Sequence, residues 1–223
     1  INLDAVSGVL GAGSSNLTIN TTGVVTVAEA VGTDIGTVTV TQSGGVDFQG
    51  TVSAATVTLT DTADAATVEF SDNLNVSTGM TVSNAGADNY NVSILGAANS
   101  IAGTTTFNNG GTLTLGQAGG TTTFVGGVSA TAPSAVSIAG TVAATTGAST
   151  ITLGDANTGV TVTADALVGG AATGLIDLGD ATINDGFTLT VGTGIGNAIN
   201  LDAVSGVLGA GSSNLTINTT GVV

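Results

Sequence analysis

Thr37-Val-Thr-Val-Thr41 alternates polar and apolar residues at every step, and Thr56-Val-Thr-Leu-Thr60 repeats the pattern. A period of two marks a half-buried β-strand, because successive side chains point to opposite faces. Val38 and Val40 are expected to face inward, with Thr37, Thr39 and Thr41 outward. Similar short strands recur at Leu17–Asn20, Thr67–Phe70, Asn91–Ile94, Leu113–Leu115, Ile151–Leu153, Val160–Val162, Ile176–Leu178 and Leu189–Val191. Glu69 and Asp177 fall on the outward phase of their strands, so the charges agree with the register. Gly, Asn, Asp and Ser separate the strands, whose starts lie roughly 9 to 20 residues apart. No stretch of a dozen residues keeps helical periodicity free of Gly and β-branched interruption, so no long helix is expected.

A longer repeat encloses these strands. Residues 1–25 and 199–223 are identical, letter for letter, at an offset of 198 residues. A match of that length reflects duplication of a segment. The chain therefore reads as one full period of a tandem array, residues 1–198, followed by the opening of the next identical period, residues 199–223.

Composition then removes most function classes. The chain has 223 residues with 15 Asp and Glu, no Lys, Arg, His or Cys, and a formal charge of −15. Phosphate backbones need cationic partners, so nucleic-acid binding is excluded. Nucleophilic triads lack their base, P-loops lack their lysine, and zinc sites lack their His and Cys ligands. Disorder is not expected either: 42% of residues are hydrophobic and only 7% charged, enough apolar surface to pack. Membrane insertion is not expected.

Two all-β architectures fit. In a β-solenoid (a β-helix), coils of roughly 20 residues stack at about 4.8 Å; in tandem β-sandwich modules, two sheets enclose a wider core. Sandwiches need large residues to fill that gap, and the chain has no Trp, one Tyr and five Phe. Val, Ile, Leu and Ala can fill a narrow solenoid interior. A single Pro suits coils that must donate ladder hydrogen bonds throughout. The solenoid is the expected fold, with about ten coils per period, spanning on the order of 48 Å.

The combination of LTI and VTV strands, TG and GD corners, Thr, Val, Gly, Ala and Asn richness and missing basic residues resembles the repeat regions of large bacterial exoproteins. These are filamentous-haemagglutinin-like adhesins, autotransporter passengers and giant β-strand-repeat surface proteins. The resemblance covers the whole chain but is compositional, and it carries no catalytic motif. It implies an extracellular or cell-surface rod with structural or adhesive duty. The expected function is a non-catalytic structural fibre or surface filament; the alternative is the spacer of an adhesin whose binding tip lies elsewhere. The expected partners are further copies, by self-association or covalent continuation.

Candidate sites are few. Asp61 with Asp64, or Asp177 with Asp180 and Asp185, could form a carboxylate pair for hydrolysis, although no basic residue supports them, and solvated corners explain them as well. Asp155, Asn157, Asp180 and Asp185 supply hard oxygen ligands beside turn glycines and are weak candidates for a structural or screening Ca²⁺. Neither segment matches an EF-hand loop, and Asx-turns account for the same residues. No other cofactor is expected. Paired threonines such as Thr37/Thr39, Thr56/Thr58, Thr104/Thr106, Thr121/Thr123 and Thr161/Thr163 would form an ice-binding face only if stacked in register, and their unequal separations argue against it. Asn-x-Ser/Thr sequons at Asn16, Asn20, Asn75, Asn91, Asn214 and Asn218 are candidate glycan acceptors, as are exposed threonines.

Overall fold

The alternating strands wind into a parallel β-solenoid of about nine turns. The computed structural model of the chain describes residues 1–9, 15–86 and 88–223. Among these residues every strand pairing is parallel and no helix occurs. Each coil contributes three faces in chain order. In the second coil Val25–Val27 forms the first face, and Val31–Gln42 turns within its length to supply the second and third. Val46–Phe48 then lies directly on Val25–Val27 and begins the next coil. From Thr105 onward the third face becomes a sheet of its own, continuing through Val128–Ala130, Ile151–Leu153, Ile176–Leu178 and Ile199–Leu201.

Stacking converts the alternation of each strand into columns along the rod. On the first face, Val27, Phe48, Phe70, Ile94, Leu115, Ile138, Val162 and Ile183 lie one above another. All are buried. Phe48 and Phe70 stack with ring centroids 5.0 Å apart and planes 4° from parallel. Phe107 on the third face meets Phe124 on the second edge-to-face at 5.9 Å. Four of the five phenylalanines thus sit as pairs in adjacent coils, within a core that is otherwise mainly Val, Ile, Leu and Ala.

Coils are longer and less uniform than the expected 20 residues. Stacked positions are separated by as few as 19 residues, between Val38 and Val57, and as many as 26, between Val142 and Val168. Strand register stays fixed while the corners absorb the difference. Gly140 is one such corner, at φ +65°, where the chain leaves the first face for the second. A Cβ there would lie 2.4 Å from the carbonyl oxygens of Gln117 and Gly120 in the coil below, so both conformation and space require glycine.

The duplicated segment shows how interchangeable the faces are. Leu3 lies on the first face against Val27, whereas its copy Leu201 lies on the third face against Leu178. Val6 bridges Val31 on the second face, and its copy Val204 pairs with Ala181 on the first. Leu17 stacks on Val38 on the third face, and Leu215 on Leu189 on the second. Local winding is nonetheless the same. Ile1 N donates to Val24 O at 2.7 Å, and Ile199 N donates to Val222 O at 2.9 Å. Eight steps up the inner column from Leu3 reach Ile183, and Leu201 lies two faces further along. One period is therefore eight coils and two-thirds of a ninth, fewer than the ten expected.

Candidate functional site

Seven of the fifteen acids accept hydrogen bonds from a neighbouring coil among the described residues. Where the backbone turns a corner its carbonyl points away, and the amide of the next coil needs another acceptor. Asp64 Oδ1 accepts from Asn89 N at 2.7 Å, Asp165 Oδ1 from Thr188 N at 2.8 Å, and Asp180 Oδ1 from Ala203 N at 3.1 Å. Asp185 Oδ2 accepts from Gly211 N at 3.0 Å. Asparagines do the same: Asn16 Oδ1 accepts from Thr37 N, Asn73 Oδ1 from Ala98 N and Asn91 Oδ1 from Thr112 N. Each bond spans one coil. Ionised acceptors strengthen such bonds, which gives these carboxylates a structural task that composition alone conceals.

The residues considered for catalysis are held in separate bonds. Asp61 Oδ1 accepts from the adjacent Thr62 N at 2.9 Å, while Asp64 reaches up to the next coil. Asp177 faces outward on the third face and accepts from Asn200 Nδ2 at 2.7 Å. Asp180 and Asp185 cap different amides in the coil above. The Ca²⁺ candidates are placed in the same way. Asp155 Oδ1 accepts from Asn157 N at 2.7 Å and Thr158 N at 2.9 Å, which is an Asx-turn. Asn157 contributes its backbone to that turn and is exposed. Among the described residues, no three carboxylates gather in one place.

On the first face Asp47 stacks in register beneath Glu69. Ser71 Oγ lies 2.8 Å from Glu69 Oε1 and 3.1 Å from Asp47 Oδ1, softening the contact between like charges. Tyr90 is buried at the corner between third and first faces and donates from Oη to Ser83 O at 2.5 Å. Burial, and secondarily the Asp61 carboxylate, push its phenol well above the usual tyrosine range.

The third face carries an arrangement that the sequence reading discounted. Thr18, Thr39 and Thr58 stack directly, Thr58 pairs with Thr81, and Thr106, Ser129 and Thr152 continue the same outward position. The Val82–Phe107 bridge joins the two runs. Seven consecutive coils thus present a hydroxyl in one column, so the argument from unequal separations fails: aligning strands by their inward pairs, not by residue count, would have found it. Among the described residues none of the seven hydroxyls bonds to protein. Thr37, Thr56, Thr104 and Thr150 flank the column, interrupted by Gly79 and Gly127. No carboxylate occupies this column until Asp177.

Other surface features are simpler. An open groove of about 590 Å³ runs along the first-to-second corner, with Gly119, Gly140, Ala166, Leu167 and Phe187 on its walls beside Asp165. Sequon residues Asn20 and Asn75 are exposed, whereas Asn91 is tied into the stack on both sides, donating to Ala65 O and accepting from Thr112. Among the described residues no helix is long and apolar enough to cross a membrane. Compared with known proteins, the chain matches no family model, no curated sequence and no solved structure.

Proposed function

We propose that the chain is a unit of a structural extracellular filament, a rod whose length is its product. The observation that carries the proposal is the behaviour of the duplicated segment. The strands of the duplicated segment serve as the bottom coil at one end and dock on preceding coils at the other, with Leu3, Val6, Leu201 and Val204 all packed against the core. A segment that both receives and supplies a coil lets units follow one another without a break, and repeat arrays gain stability with each interface added.

Composition supports a location outside the cell. Trypsin-like proteases need Lys or Arg, and neither is present. One Met and no Cys or Trp leave little to oxidise. Self-association along the axis follows from the same stacking. Electron microscopy with gold-labelled antibody on cells that make the chain tests the reading. Label along external filaments is the expected result; label confined to the interior, with no filament, would overturn it.

A further inference from the structure

Resting on that reading, we infer that successive units of the filament are turned by one third of a revolution about its axis. The repeat that brings the rod back to itself is then three units and not one. The deciding observation is the phase of the duplicated segment. Its strands occupy the first, second and third faces at residues 1–25, and the third, first and second at 199–223. Its local winding is unchanged, down to the matching bonds Ile1 N to Val24 O and Ile199 N to Val222 O. The corner bonds also match: Gly23 N donates to Thr21 Oγ1, and Gly221 N to Thr219 Oγ1. A period that ends two-thirds of the way round a coil must hand each face of the next unit to a neighbouring side.

The physical reason that the core accepts this shift is that every face asks the same of its strand. Inward positions are mainly apolar and outward ones mainly polar, and Leu3 meets Val27 as readily as Leu201 meets Leu178. Each unit rises by about 42 Å and three by about 125 Å at the usual strand spacing. The hydroxyl column of the third face therefore passes to each of the three sides in turn, and no side of a long filament carries it without interruption. A unit of whole coils would instead have placed that column along one edge.

The test uses an array of nine 198-residue units, three of the inferred repeats, with Thr58→Cys in each. Thr58 is an outward position, and the chain has no other cysteine to compete. Biotin attached at the cysteines and marked with streptavidin is located by electron microscopy. Unlabelled arrays are imaged in parallel for their axial periodicity, so that the result does not depend on the variant folding. Markers on three different sides, with a true repeat of three units, are expected. Straight rods whose markers all lie along one side, or whose periodicity is that of a single unit, would overturn the screw and leave the filament standing. Arrays that form no rod would overturn both.

Discussion

Tyr90 is a side chain whose ionisation the fold opposes, through burial of its phenol. It is also the only side chain able to titrate in alkali, because the chain has no Lys, Arg or Cys and a single Tyr. Its folded pKa lies above the ordinary value of 10.0. Above that value the unfolded chain loses the phenol proton while the folded chain keeps it, so stability is complete below pH 10 and falls as the pH rises beyond it. Thermal melts across this range should show that decline in the parent and a nearly flat profile in Tyr90→Phe. An equal decline in both would place the cause elsewhere. Asn99 is the second residue that stands out. It sits in an inward column between Leu74 and Thr122, accepts from Leu74 N at 2.9 Å, and donates to Gly96 O at 2.8 Å and Thr122 Oγ1 at 3.1 Å. Asn99→Ala strands these partners in the interior and should cost about 3 kcal/mol in denaturant unfolding; a loss below ~1 kcal/mol would show that they find other partners.

At the scale of the strand, the two sides of each coil should respond very differently to mutation. Phe70→Ala opens a void beside Phe48 in a fully buried column and should cost about 3–5 kcal/mol. Thr58→Ala, outward and unbonded, should stay within about 0.5 kcal/mol. Equal effects would mean that the inward and outward phases had been exchanged. Those phases were legible in the sequence because alternation is a local property: Val38 and Val40 read as inward from five residues alone. The hydroxyl column was not legible, since it depends on which strand lies on which, and corner lengths hide that correspondence. Nor were the buried polar residues at the corner between third and first faces. Ser43, Thr62, Asn109 and Thr158 look like loop residues in sequence. In the fold they turn inward to carbonyls and one another, as when Ser43 Oγ meets Thr62 Oγ1 at 2.9 Å and Thr158 Oγ1 donates to Pro133 O at 2.7 Å. The same holds for Asp64, Asp165 and Asp180, whose role as acceptors for the next coil needs the coil to be in place.

For the whole molecule, fifteen carboxylates without a single basic side chain make neighbouring rods repel, most strongly at low ionic strength. Turbidity should stay low in dilute buffer and rise when Ca²⁺ is added, with microscopy showing side-by-side bundles; unchanged dispersion would contradict this. Axial growth obeys a different rule, because it depends on coil-on-coil pairing and the buried columns. The most direct measurement of that claim is small-angle X-ray scattering on one, two and three 198-residue units joined in series. Continuous winding requires a constant cross-section and a length increasing by about 42 Å per unit. A cross-section that widens with each unit, or a profile of separate globules on a flexible chain, would contradict it.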